Sequence, residues 1–70
     1  MVDLEIWKWG IGSSKVYTTN QGLIENLRGQ KDTVEHCSYF NPKGRDFIVS
    51  KPVTNLVRKY KKQGYNVRVI

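Results

Sequence analysis

Two residues with chemically reactive side chains stand next to each other in this sequence. His36 and Cys37 are its only histidine and its only cysteine. Neighbours on an extended strand point to opposite faces, so they cannot form the thiolate and imidazole pair that nucleophilic catalysis needs. One histidine and one cysteine are also too few for a zinc site, and a single cysteine excludes an intrachain disulfide. We therefore expect Cys37 to be a small core residue of a protein in the reducing cytoplasm.

The other signatures of enzyme chemistry are missing from the sequence as well. Its carboxylates occur singly, without a spacing that would divide acid and base roles between two of them. The GxG at Gly10 and Gly12 has neither the third glycine nor the GK[ST] of a phosphate-binding loop. No run approaches the roughly 20 apolar residues of a membrane span. The sequence therefore predicts a protein that is not an enzyme, with no catalytic residue, metal, cofactor, small-molecule substrate or membrane partner.

Positive charge is concentrated in the C-terminal part of the chain. Residues 43–70 contain eight basic residues and one acidic residue, whereas residues 1–42 contain four basic and five acidic ones, so nearly all of the net charge of +6 comes from the C-terminal part. Such a cluster can neutralise phosphates and attract an anionic partner. The alternative is an ordinary solvated helix face. The predicted nucleic-acid-binding residues are Lys43, Arg45, Lys51, Arg58, Lys59, Lys61 and Lys62.

Most of these residues lie in a predicted helix that begins at Pro52, a residue suited to the first helical position. Its apolar residues recur at i, i+3, i+4 and i+7, which predicts that one side packs on the core. Arg58 and Lys62 fall on the opposite side of a 100° helical wheel, and Gly64 is predicted to end the helix. We expect the basic side to face outward. The apolar stripe consists of Val53, Leu56, Val57 and Tyr60.

Aromatic residues near the N-terminus supply a second candidate surface. Alternation of apolar and polar residues over 2–9 predicts a strand, which places Trp7 and Trp9 on the face opposite its aliphatic residues. With Tyr17 of the next predicted strand, over 15–18, these rings form a stacking platform for bases or an interface for a partner. The alternative is structural, with the rings covering a flank of the sheet or packing beneath a helix end. The predicted core-facing residues of the first strand are Val2, Leu4 and Ile6.

A shorter first helix is predicted between the second strand and residue 29. Either Thr18 with Gln21, as a capping box, or Asn20 is expected to start it, and Gly29 to end it. The spacing of its apolar residues predicts that one side packs on the core. These residues are Leu23, Ile24 and Leu27.

A hairpin is predicted over 34–51. Proline and glycine in the segment NPKG at 41–44 favour a tight turn with Gly44 at positive φ. A three-residue loop would set Tyr39 opposite Phe47 and Cys37 opposite Val49. This face is apolar and is therefore predicted to lie against the core.

These elements predict a single α+β domain over residues 1–70. The order is a split β-α-β-β-α-β (ferredoxin-like) arrangement plus an N-terminal strand. Its mixed sheet would have four to five strands, with both helices on one face and the opposite face left to solvent or a partner.

Two segments of this order resemble the RNA-contacting motifs of RNA-recognition-motif domains. They are VYTTN at 16–20, on the first strand of the β-α-β-β-α-β order, and KGRDFI at 43–48, at the start of the third strand of that order. The resemblance implies that Tyr17 and Phe47 stack on bases. The second segment departs from the motif at Arg45, where an aromatic residue is expected, and hydrophobicity assigns Phe47 to the core. We therefore do not place the chain in that family on its sequence.

The sequence favours a small non-enzymatic accessory protein that binds DNA or RNA through the basic helix and the hairpin tip. The alternative is a protein–protein interaction module, an inhibitor or a homodimer, that uses an exposed sheet edge or the tryptophan face.

Overall fold

A mixed five-stranded sheet and two helices make up the described part of the chain. The computed structural model describes residues 2–37 and 44–70. The predicted α+β class is confirmed. The elements are β1 (Leu4–Gly10), β2 (Ser13–Thr18), α1 (Gln21–Arg28), β3 (Thr33–Cys37), β4 (Arg45–Val49), α2 (Val53–Lys62) and β5 (Val67–Val69).

The strands lie in the order β3-β4-β2-β1-β5. Neighbouring strands are antiparallel, except that β1 and β5 are parallel. Following these directions across the sheet, β4 and β5 run the same way, and so do β2 and β3, as two strand–helix–strand units require. The extra N-terminal strand is not an edge strand, because β1 pairs with both β2 and β5.

One face of the sheet and both helices share a single hydrophobic core. The inward residues of β1, Leu4 and Ile6, are buried as predicted, but Val2 is 48% exposed. The prediction for Val2 is wrong because β1 begins only at Leu4, so Val2 lies before the sheet. The complete set of buried apolar residues is Leu4, Ile6, Val16, Leu23, Ile24, Leu27, Phe47, Val49, Leu56 and Tyr60.

Helix α1 starts at Asn20, whose side-chain Oδ1 accepts a hydrogen bond from the Leu23 amide at 3.2 Å. This settles the choice between the two predicted caps. The Thr18 hydroxyl instead donates to the Asp3 carbonyl at 2.7 Å and accepts from the Asn20 amide at 3.0 Å. It therefore ties the end of β2 to the start of β1.

Helix α2 ends at a left-handed glycine, as predicted. Gly64 has φ of 93°, its amide donates to the Lys61 carbonyl, and the amide of Tyr65 donates to the Tyr60 carbonyl at 3.1 Å. This pair of bonds is the Schellman arrangement, which turns the chain sharply toward β5. Within the described ranges, neither helix is long and apolar enough to cross a membrane.

The central hairpin is paired in a register that differs from the predicted one. Thr33 lies opposite Val49 and Cys37 opposite Arg45, a shift of four residues. The prediction is wrong because it made the strands symmetric about position 43, whereas the described pairs are symmetric about position 41, with the β-branched pair at 33 and 34 opposite the end of β4. An even shift preserves which side chains point inward, so Phe47 and Val49 are still buried.

The predicted turn at 41–44 and Tyr39 fall largely outside the described residues. Gly44 itself is described, and its contact with Tyr17 accounts for a glycine at this position. A Cβ on Gly44 would lie 2.5 to 2.7 Å from atoms of the Tyr17 ring. No side chain other than hydrogen therefore fits without displacing that ring.

Candidate functional site

The outer side of α2 is the first candidate site. Leu56 and Tyr60 dock the helix on the core, with Val53 and Val57 partly buried beside them. Because the helix turns about 100° per residue, its remaining side chains point away from the sheet. We call the four basic ones the α2 basic surface: Arg58, Lys59, Lys61 and Lys62.

Three members of the α2 basic surface are exposed, and the fourth is half-buried. Arg58, Lys61 and Lys62 are open to solvent. The Nζ atom of Lys59 lies 5.5 Å from the centroid of the Tyr60 ring, a cation–π contact within the chain. All four positions lie in the second half of α2, where the helix dipole favours positive charge.

The α2 basic surface has no acidic partner within 4.0 Å among the described residues. Five basic side chains elsewhere do have such partners, and α2 itself contains no acidic residue. The helix C-terminus offsets only about half a unit charge. Most of the positive charge here is therefore available to a ligand. The five ion pairs join Lys15 to Asp46, Arg28 to Glu35, Arg45 to Glu35, Lys51 to Asp32, and Arg68 to Glu5.

Two of the other predicted phosphate-binding residues, Lys51 and Arg45, do have acidic partners. Lys51 precedes α2, but its Nζ lies 3.4 Å from a carboxylate oxygen of Asp32. Arg45 at the start of β4 lies 3.4 Å from Glu35 and donates to the Gly44 carbonyl at 2.8 Å. Lys43 lies outside the described residues. The structure thus groups the four α2 residues, and it engages Arg45 and Lys51 in contacts within the chain.

A two-bond ion pair joins the end of α1 to β3. Arg28, at the end of α1, donates from Nε and Nη2 to the two carboxylate oxygens of Glu35 at 2.5 and 2.9 Å. This hydrogen bonding lowers the pKa of Glu35 and raises the pKa of Arg28. Sequence reasoning missed this pair because the two residues lie on different elements and their contact depends on the β3 register.

The second candidate site is the sheet face that the helices do not cover, which we call the open face. Trp7 and Tyr17 are half-buried there, and Trp9 is 53% exposed. The Lys15 Nζ lies 4.3 Å from the Trp9 ring centroid, a cation–π contact. The aromatic residues are thus on the outer side of the sheet, as predicted.

Charges on the open face largely cancel. Lys15 lies within 4.0 Å of Asp46, and Arg68 within 3.9 Å of Glu5. The α2 basic surface lies on the opposite side of the molecule, beyond the sheet and a helix layer about 10 Å thick. One short ligand therefore cannot contact the aromatic rings and the α2 cations together.

The position of Phe47 does not fit the stacking role implied by the resemblance to RNA-recognition motifs. Phe47 is 0% exposed and belongs to the core between the sheet and the helices. Tyr17 does lie on the open face, where its cross-strand neighbour is the anionic residue Asp46. The two implied stacking rings thus point to opposite sides of the sheet.

A shallow groove of about 300 Å³ lies where the β1–β2 turn meets the start of α2. Its walls include Lys8, Pro52, Val53 and Val69. Pro52 occupies the N-cap position of α2, and its side chain makes no capping hydrogen bond.

Within residues 2–37 and 44–70, no three His, Cys, Asp or Glu side chains are placed to hold a metal ion.

Comparison with known proteins gives no relative from which a role could be transferred. A scan against protein-family models, a search of curated proteins and a search of solved structures each find no match to the chain. The function must therefore be argued from the geometry of this chain.

Proposed function

We propose that this protein is a small, non-enzymatic, cytoplasmic protein that binds nucleic acid through the α2 basic surface. One observation carries the proposal. Six basic side chains lack acidic partners within 4.0 Å among the described residues, and four of them are grouped on α2, whereas the other two, Lys8 and Lys31, lie on separate segments. Phosphate groups are the partners that such a cluster of exposed cations attracts, because binding releases the counterions of the nucleic acid.

The role of the hairpin tip in this proposal is smaller than that of α2. Arg45 and Lys51 already face Glu35 and Asp32, so a phosphate would have to compete with a carboxylate at each position. Lys43 carries a charge near the start of β4 and remains a predicted contact.

The proposal is tested by removing the charge of the α2 basic surface. The variant R58Q/K59Q/K61Q/K62Q removes four charges without adding repulsion, and the corresponding Glu variant reverses them. In fluorescence anisotropy titrations with DNA and RNA at low salt, both variants should lose most of the affinity, the Glu variant more. Circular dichroism checks that both remain folded. An affinity unchanged in the Glu variant refutes the proposal.

A protein–protein interaction module, an inhibitor or a homodimer, is the second candidate function. It is supported by the open face, where Trp9 and Val34 are 53% and 60% exposed while the charges cancel. Apolar residues exposed on a nearly neutral sheet face are typical of interfaces. Sedimentation at two salt concentrations distinguishes the candidates. A dimer that is insensitive to salt, is disrupted by Trp9→Ala and ignores nucleic acid supports this second function.

For the fold we propose a ferredoxin-like split β-α-β-β-α-β arrangement into which β1 is inserted. The support is that β2 to β5 have the strand directions of that arrangement, with β1 between β2 and β5. Ile6 and Val69 are cross-strand partners in the parallel pair. NOEs between Ile6 and Val69 are expected in solution, and NOEs that instead join β2 directly to β5 would refute the insertion.

A further inference from the structure

We infer that the ligand of the α2 basic surface is double-stranded DNA, with α2 lying along the major groove and its lysines reaching the phosphates on either side. This inference rests on the proposed function and names its substrate class. Three features of the described residues carry it: the lack of exposed rings beside the cations, the arrangement of the cations around the helix, and the size of the helix.

The first feature is the separation of cations from aromatic rings. Binding of single strands combines a basic groove with rings on which the bases stack. On α2 the one aromatic residue is Tyr60, which is 0% exposed. Its neighbour Tyr65 packs against it edge-on, with ring centroids 6.1 Å apart. The exposed ring of Trp9 lies on the open face, on the far side of the sheet. Bases of a strand lying on α2 would therefore have no stacking partner there.

The second feature is the distribution of the cations around the α2 axis. Asn55, Arg58 and Lys62 lie at i, i+3 and i+7 and form an outward ridge of polar side chains. Lys59 and Lys61 are two residues apart, so at about 100° per residue they project from opposite flanks of that ridge. A ridge with cations on both flanks matches a groove with a phosphate strand on each side. A single strand offers one row of phosphates and would leave one flank unused.

The third feature is the size of α2 and of its outer side chains. The helix has ten residues, so it is about 15 Å long. The major groove of B-form DNA, about 12 Å wide, admits an α-helix, whereas that of A-form RNA is too narrow for side chains to read. Asn55 on the ridge is a residue type that can hydrogen-bond to base edges in the major groove.

Charge density gives the two forms of DNA different salt dependences. Duplex DNA carries one charge per about 1.7 Å of axis, and each phosphate contact releases about 0.9 counterions. A single strand carries one charge per about 3.4 Å, and each contact releases about 0.7. Four contacts to duplex DNA give a slope of about −3.6 for log K against log salt concentration, and a single strand that leaves one flank unused makes about three contacts, with a slope of about −2.1. From 50 to 200 mM salt, the affinity for duplex DNA should fall about 150-fold and that for a single strand about 20-fold.

The test is an anisotropy titration of the full chain with four probes of one sequence, roughly 20 nucleotides long and so about two helical turns. The probes are the DNA duplex, each of its single strands, and the RNA duplex. Two variants accompany the wild type. Asn55→Ala alters the ridge, and Trp9→Ala removes the exposed ring of the open face.

We expect the DNA duplex to bind most tightly, with the steeper slope, and Trp9→Ala to change its affinity less than twofold. Asn55→Ala should weaken duplex binding without changing the slope, because it removes no charge. Single strands or duplex RNA that bind as tightly as duplex DNA, or a loss of affinity in Trp9→Ala, overturn this inference. The proposed function survives that result if the α2 charge variants still lose binding. If none of the four probes binds, both are refuted.

Discussion

Arg58 and Arg68 provide a matched pair of substitutions that separates the α2 basic surface from net charge. Arg58 is exposed on α2 and has no acidic partner within 4.0 Å among the described residues, whereas Arg68 lies on the open face, 3.9 Å from Glu5. Arg58→Gln and Arg68→Gln each remove one arginine and one unit of charge. Any difference between them therefore reports position rather than total charge.

The expected magnitude follows from counting the phosphate contacts of the α2 basic surface. With four contacts the wild-type slope is about −3.6, and Arg58→Gln should reduce it to about −2.7. Between 50 and 200 mM salt, wild-type affinity for duplex DNA should then fall about 150-fold, but that of Arg58→Gln only about 40-fold, from a weaker starting value. Arg68→Gln should retain the wild-type slope, because Arg68 lies on the opposite side of the molecule.

The assay is fluorescence anisotropy at four or more salt concentrations, with the same labelled duplex for all three proteins. The difference between slopes is more informative than any one dissociation constant, because affinity at one salt concentration mixes charge with stability. Equal slopes for the two variants would refute the reasoning, since binding would then follow net charge and not the α2 basic surface.

Three further predictions concern the frame that holds α2 in place. Gly44→Ala should destabilise the fold by about 1 kcal/mol in urea denaturation, because the added methyl group would displace the outer end of the half-buried Tyr17 ring. The penalty should shrink in the Tyr17→Ala background, and an undiminished penalty would contradict this contact. The pKa of Glu35 is lowered from its ordinary value of 4.5, chiefly by the hydrogen bond from Arg28. The stability that the Arg28–Glu35 pair contributes is therefore fully present above pH 4.5 and is lost as the pH falls through the pKa of Glu35 in the folded protein. Wild-type stability should therefore fall more steeply below pH 4.5 than that of Glu35→Gln, and parallel pH profiles would be inconsistent with the pair. Asn20→Ala should cost about 1 kcal/mol by removing the α1 cap, whereas Asn20→Asp should retain most of the stability; equal losses in the two variants would argue against capping.

Local patterns in the sequence were sufficient for both helices and for the inward residues of the strands except Val2. The stripe from Val53 to Tyr60 needs only the helical period, and the glycine at 64 ends the helix for a local reason, its positive φ. The alternation over residues 2–9 likewise predicts the tryptophans on the outer side of the sheet, although the strand itself runs from Leu4 to Gly10. These features depend on residues a few positions apart.

Strand pairings between residues that lie far apart in the sequence cannot be predicted from local patterns. The hairpin register depends on the pairing of Thr33 with Val49, whereas the turn-forming residues at 41–44 favour a register shifted by four residues. The parallel pairing of β1 with β5 joins Leu4 to Val67, across nearly the whole chain. No local pattern encodes such a pair.

The limits of charge counting are visible in the candidate site. By sequence, Lys51 and Arg58 are equally basic residues near one helix. The structure places Asp32 beside Lys51 but no acidic residue, among those described, beside Arg58. The distances between basic and acidic side chains are needed to distinguish cations that are paired with a carboxylate of the chain from cations that are available to a ligand.

The most direct measurement is the change of amide and indole NMR signals on titration with duplex DNA. The largest shifts should lie in the second half of α2, at Arg58, Lys59, Lys61 and Lys62, and should disappear at high salt. The indole signal of Trp9 on the open face should stay unchanged. Shifts confined to Trp9 and Lys15, with α2 unaffected, would contradict the assignment of the nucleic-acid site to this helix.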